Sequence, residues 1–314
     1  MPQARTFKTM IDRALRPARR SACLAALGLI TGFTLPAMAG ETFPVASHDL
    51  SVPGFTFHDG KTVPGLTLHY RTLGKPHRDA AGDIDNAVLL LHGTGGEGSG
   101  FLLPSFADPL FSKAKPLDAA EYFIIMPDAV GHGLSSKPSD GMRMAFPDYD
   151  YADMVALQHR IVAGDLGIKK LRLILGTSMG CMHTYVWGVT FPQAARALMT
   201  MACSPFPVAG MNWTWRKGVI DAITSDPAWQ DGNYKAQPEA GMRSVAVLTG
   251  IAASGAPNFA ALYPTQAAVD TMLKERVEGT IKLTDAHDTI YQLSASAGYD
   301  AWSSIGKIKV PVLW

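Results

Sequence analysis

One stretch, LRLILGTSMGCMH at residues 171–183, constrains this chain more than any other. An apolar run leads straight into Gly176-Thr177-Ser178-Met179-Gly180, and a helical pattern starts with no loop between them. A strand that becomes a helix across one residue forces that residue into a crowded backbone conformation, and glycines two before and two after leave the room it needs. Ser178 at such a bend holds its hydroxyl above the sheet. The next helix turns its N-terminus to the same spot, so free N–H groups and partial positive charge face any anion forming there. G-x-S-x-G alone arises by chance in roughly one chain of this length in ten, so its surroundings must carry the inference.

Those surroundings alternate strand and helix. Residues 54–73 alternate apolar and polar about Asp59-Gly60, as an antiparallel hairpin does. Residues 87–91 and 122–126 are unbroken apolar runs, expected of parallel strands covered on both faces. The first ends in His92-Gly93-Thr94-Gly95-Gly96, the second in Pro127-Asp128 and a Gly131-His132-Gly133 turn. Helical spacing over 149–166 stops at Gly167; a strand at 170–175, a helix over 179–190 and a strand over 197–202 follow. This order predicts an α/β fold with a doubly wound, mainly parallel sheet. From 204 to 308 helical segments appear near 211–224, 239–252, 265–278 and 285–297 with no convincing strand, so the stretch reads as an inserted helical cap over the serine. Trp213, Trp215 and Trp229 within it could line an acyl pocket, although apolar residues at helical spacing more often pack a helix. The expected division is 1–39 leader, 40–203 first part of the core, 204–308 cap and 309–314 the start of a further core strand.

In the leader, Arg13, Arg16, Arg19 and Arg20 precede an apolar run over 22–35, and Ala37-Met38-Ala39 stands before Gly40, the pattern of a cleavable export signal ending at Ala39. The run is too short for a membrane span. A periplasmic or secreted protein with no stable membrane insertion is expected. Loss of 1–39 removes six basic residues and one acidic, turning the net charge from +1 to −4, with no signature of nucleic-acid binding. Cys181 and Cys203 remain, both in apolar stretches; buried thiols are the expected state, while an oxidising compartment permits a bridge. No spacing of metal ligands occurs and no G-K-[ST] follows the glycines at 93–96, so neither metal nor cofactor is expected.

Acyl transfer through a serine needs a base, a carboxylate to orient it and N–H donors for the oxyanion. The backbone N–H groups of Thr94 and Met179 are the candidate donors. After Ser178 the only histidines are His183, inside the elbow helix, and His287, in the cap; neither is well placed. His92 and His132 precede the serine and sit in turns, where structural hydrogen bonding is the expected role.

Taken together, several stretches resemble the α/β-hydrolase-fold proteins of the homoserine O-acetyltransferase type. They are Asn86-Ala87-Val88-Leu89 with the His-Gly turn, Phe146-Pro147 with Asp153-Met154-Val155 and Gln158, Leu166-Gly167-Ile168, the serine motif, Arg216 with Ala222-Ile223, Asp226-Pro227-Ala228-Trp229, and Asp285-Ala286. The resemblance implies Ser178 as nucleophile of an acyl-enzyme, Thr94 and Met179 at the oxyanion hole, and a triad aspartate and histidine absent from this chain, beyond Trp314. The chain departs from the family at HGTGG, where members show HALTG, and at Ala246, where the arginine that holds the amino-acid substrate falls. The expected function is an exported serine enzyme hydrolysing a small acyl ester, impaired in this form. An O-acyltransferase or a non-catalytic binding remnant are the alternatives, and the sequence leaves a homodimer open.

Overall fold

A computed structural model describes residues 43–314; the expected leader lies outside the described residues. Uninterrupted apolar sequence sets the architecture. Strands β3 (Ala87–Leu91) and β4 (Phe123–Pro127) are buried along their whole length, and β5 (Leu173–Thr177) through its middle. They occupy the centre of a seven-stranded sheet ordered β1-β2-β4-β3-β5-β6-β7. Pairing is parallel from β4 through β3, β5 and β6 (Leu198–Met201) to β7 (Val312–Leu313), and antiparallel where β1 (Val45–Thr56) and β2 (Thr62–Leu73) join at β4. The hairpin begins at Val45 rather than near residue 54. In its first half only His48 and Leu50 are half-buried and the other residues are exposed, so little apolar period marks it.

Side chains of one strand point to alternate faces, and β3 feeds both cores. Val88 and Leu90 pack with Phe101, Phe111 and Leu175 under helix α1 (Pro104–Phe111). Leu89 and Leu91 pack with Met154, Leu157 and Trp187 on the other face, from α2 (Tyr151–His159) and α3 (Met179–Thr190). The prolines hide α1 in the sequence: Pro104 suits a first turn, but Pro109 lies inside the helix. Asp150 and Asp153 form a capping box that starts α2, each side chain accepting the other's backbone N–H.

Beyond β6 come α4 (Gly210–Thr224), α5 (Glu239–Ala252), α6 (Ala256–Leu262), α7 (Gln266–Leu283) and α8 (Ala286–Ser294). Val219, Ile223, Trp229, Met242, Val245 and Ile290 form their shared apolar centre. Trp229 is thus a packing residue. Helix α6 was not expected; no residue in it is buried, so no apolar stripe marks it. Helix α8 lies against the loops at the C-terminal end of the sheet: Gln292 Nε2 donates to the Gly131 carbonyl (2.7 Å) and Tyr291 Oη to that of Phe146 (2.6 Å). Among the described residues no single helix is long and apolar enough to cross a membrane.

The expectation of buried thiols is corrected. Cys181, on α3, and Cys203, just past β6, form a disulfide with Cα atoms 5.9 Å apart. Strands β5 and β6 are neighbours, and the helix that rises from one passes the end of the other, which brings the two sulfurs together.

Candidate active site

The chain leaves β3 toward β4 on one side and returns to β5 on the other, so the loops after β3 and β5 part above the sheet. Such a switch point is where open α/β sheets leave a crevice. Ser178 stands there with φ 52° and ψ −112°, a left-handed conformation that costs a non-glycine residue on the order of 1–3 kcal/mol. Three things hold it. Its N–H donates to the Met201 carbonyl (2.9 Å) and its own carbonyl accepts from Met182 N–H (3.2 Å). A Cβ built on Gly176 would strike the Gly180 carbonyl, and one on Gly180 would strike that of Leu91, so both glycines are required by close backbone approach. Met179 opens α3, and its N–H therefore has no partner within the helix.

The loop after β3 reaches the same place: a Cβ on Gly93 would lie 3.4 Å from that of Ser178. The Thr94 N–H, one residue on, makes no hydrogen bond among the described residues. Two arrangements brace this loop. Asp128, after β4, is buried and accepts from Arg71 Nη1 (2.8 Å), Gly98 N–H (2.7 Å) and Leu134 N–H (2.9 Å). His92 donates from Nδ1 to the Gly93 carbonyl (3.0 Å) and accepts at Nε2 from Ala129 N–H (3.1 Å), the structural role expected of it. Burial pushes its pKa below the usual imidazole range. His132 likewise donates from Nδ1 to the Val130 carbonyl (3.2 Å), and burial followed by repulsion from His92 pushes its pKa well down.

None of the nine histidines hydrogen-bonds to Ser178, and the two that follow it in the chain are engaged elsewhere. The orientation of His183 can be deduced. Trp187 Nε1 can only donate, and it donates to Gln158 Oε1 (2.9 Å). Gln158 Nε2 therefore faces His183 Nδ1 (3.2 Å), which must accept and carry no proton. The proton sits on Nε2, which has no partner. Burial lowers this imidazole's pKa to about 3, so it is neutral and offers only an N–H outward. His287 gives its Nε2 proton to the Gly232 carbonyl (2.7 Å), while Nδ1 lies 2.7 Å from Tyr234 Oη and 3.0 Å from Asp285 Oδ1.

A buried polar group that residue-by-residue reading does not reveal lies beside Thr94. Tyr151, the first residue of α2, and Arg216, on the buried face of α4, are 2% and 1% exposed. Tyr151 Oη, Arg216 Nη1 and Thr94 Oγ1 are all buried without a hydrogen-bond partner. Thr94, Ser296 and Arg216 lie close enough to Tyr151 to influence its titration, though burial dominates and pushes the phenol up. One signal was present: Arg216 falls in register with Val219 and Ile223, at the helical spacing that marks an inward face. Elsewhere, His58, Asp150 and Asp153 bring three potential metal-ligand atoms together. Asp153 there is occupied by the His58 and Asp150 backbone N–H groups and by His58 Nδ1.

A strand, a strained serine and a helix meeting at the switch point of a mainly parallel sheet define an α/β protein of the serine-elbow class. A family profile described as "alpha/beta hydrolase fold" matches residues 86–245, and the chain belongs to that family. Its relatives include a protein named "Probable acyltransferase" from Methanothermobacter thermautotrophicus, 28% identical, with 82% of this chain covering 78% of that one. A homoserine O-acetyltransferase from Thermobifida fusca is 31% identical, with 62% of this chain covering 53% of it. The chain thus spans most of one relative and about half of the other. The solved structure of the acetyl esterase MekB shares the fold at a TM-score of 0.71 and 22% identity, over 86% of this chain and 79% of that one.

Proposed function

We propose that Ser178 is the nucleophile of an acyl-enzyme formed from a small ester, with the Thr94 and Met179 N–H groups receiving the oxyanion. The observation that carries this is the strained Ser178 backbone between β5 and α3, beside Gly93. Unpartnered N–H groups in a fixed frame need no reorganisation as charge develops, and one such donor is worth about a hundredfold or more in rate. The helices at 204–308 serve as a cap that shields the reacting ester. Export to an oxidising compartment is part of the proposal, and the Cys181–Cys203 disulfide supports it.

No described histidine hydrogen-bonds to Ser178, and on this reading attack by Ser178 proceeds without a general base among the described residues. That places the rate about 10²–10⁴-fold below an equivalent serine enzyme with its base. The names of the relatives keep acyl transfer to an alcohol as a second reading. Stopped-flow release of p-nitrophenol from p-nitrophenyl acetate, with and without a competing alcohol, separates the two. Release that Ser178→Ala abolishes supports the acyl-enzyme. Acetylated alcohol formed well above the rate of hydrolysis supports transfer, and release unchanged in Ser178→Ala refutes the proposal.

A further inference from the structure

The Cys181–Cys203 bridge closes a short circuit through the nucleophile. From Ser178 the chain runs along the first turn of α3 to Cys181, crosses the disulfide to Cys203 and returns through Ala202 to Met201, whose carbonyl accepts the Ser178 N–H (2.9 Å). The Met179 N–H lies inside the same circuit. Among the described residues only six non-glycine residues have positive φ, and two of them, Ser178 (52°) and Ala202 (61°), belong to it. Such conformations persist only where the surroundings over-determine them.

The close packing of Gly176 and Gly180 accounts for Ser178, but Ala202 is exposed and no packing of its side chain accounts for it. What fixes Ala202 is a tie on either side: Met201 is in register with Thr177 in the sheet, and Cys203 is bonded to Cys181. Beyond Cys203 the chain is anchored again. The Ser204 carbonyl accepts from Tyr299 Oη (3.0 Å), and that of Pro205 from the Ala301 and Trp302 N–H groups (3.2 and 2.9 Å). The bridge therefore fastens the first turn of α3, one residue past the second glycine of the serine motif, to an anchored segment. A reacting group displaced by about 1 Å loses on the order of a hundredfold in rate.

We propose that the Cys181–Cys203 disulfide is a positioning element for Ser178 and the Met179 N–H: beyond its share in stability, it sets the rate of acylation and makes that rate sensitive to dithiols. This rests on the acyl-enzyme reading. In the reduction, a thiolate of the dithiol attacks the sulfur of half-buried Cys203, and Cys181 leaves as a thiolate and takes up a proton. The second thiol of the reductant then displaces Cys203 as it closes its own disulfide, so two electrons and two protons pass to the protein. The protein and the double variant Cys181→Ser, Cys203→Ser are compared without denaturant, with circular dichroism to check the fold. The readouts are the rate at which p-nitrophenyl acetate acetylates the Ser178 peptide and amide hydrogen exchange over residues 176–182. Opening the bridge lowers the maximal acetylation rate tenfold or more, leaves the half-saturating ester concentration within twofold and speeds exchange in that segment. A smaller fall in rate overturns the proposal. No acetyl group on Ser178 in the bridged protein defeats the acyl-enzyme reading instead, and unchanged exchange would then defeat the positioning role as well. Should the double variant not fold, the protein is reduced with dithiothreitol and reoxidised. Acetylation lost and regained at constant dichroism supports the proposal; acetylation that survives complete reduction, or is lost only with the fold, overturns it.

Discussion

At the scale of single residues, Ser178 and its glycines form one unit. Gly180 lets α3 pass the Leu91 carbonyl, and a methyl group there would overlap backbone that cannot move aside cheaply. Gly180→Ala is expected to lower stability by about 1–3 kcal/mol, the usual range for overpacking, and to slow acylation as Ser178 shifts; urea denaturation and p-nitrophenol release measure the two effects. His183 makes the opposite case. Its unprotonated nitrogen faces Gln158, so it is no base for Ser178. His183→Gln should leave the acylation rate of the folded protein within a few fold, where loss of a base typically costs about 10²–10⁴-fold. The serine motif was legible because glycine spacing and a change of period leave marks within a few residues. The Thr94, Tyr151 and Arg216 group was not, because it assembles across three distant segments and only Arg216's place on an apolar stripe hints at burial.

Among the elements, the central strands could be read directly: a strand buried on both faces admits almost nothing but apolar residues. Helix α1 carries a proline inside it and α6 buries nothing, so each lacked the signal that marks a helix. The disulfide lay beyond reach for another reason. Cys181 and Cys203 sit 22 residues apart, and only the pairing of β5 with β6 decides that they meet. By fastening α3 to the exit of β6, the bridge holds together the two elements that already share the Ser178 N–H to Met201 hydrogen bond. A loop of this length predicts about 3 kcal/mol of stabilisation in the chain-entropy view. Urea unfolding with and without dithiothreitol should show a loss of that order; an unchanged midpoint after complete reduction would mean that packing alone holds α3 in place.

For the whole molecule, buried titratable groups set the response to acid. His92, His132 and His183 are held neutral by burial, with folded pKa values below that of the unfolded chain. Below about pH 6.5 the unfolded chain takes up protons that the folded one refuses, so the stability these groups contribute is lost as pH falls toward 3. Asp288 acts in the other direction. Burial raises its pKa to about 6 despite two hydrogen bonds from Ser139, so between about pH 4 and 6 the folded chain holds a proton that the unfolded one releases. Stability from this group therefore declines as pH rises through that window. Three histidines outweigh one aspartate: the urea midpoint should fall from pH 7 to pH 4, and Asp288→Asn should steepen the fall. A midpoint that rises on acidification would contradict this balance.

The central claim is that the strained serine at the switch point takes an acyl group. Peptide mass spectrometry after incubation with p-nitrophenyl acetate tests it most directly. The account predicts one slowly formed acetyl group on the peptide carrying Ser178, absent from Ser178→Ala. An acetyl group on other residues with Ser178 unmodified, and with the same total in Ser178→Ala, would contradict it.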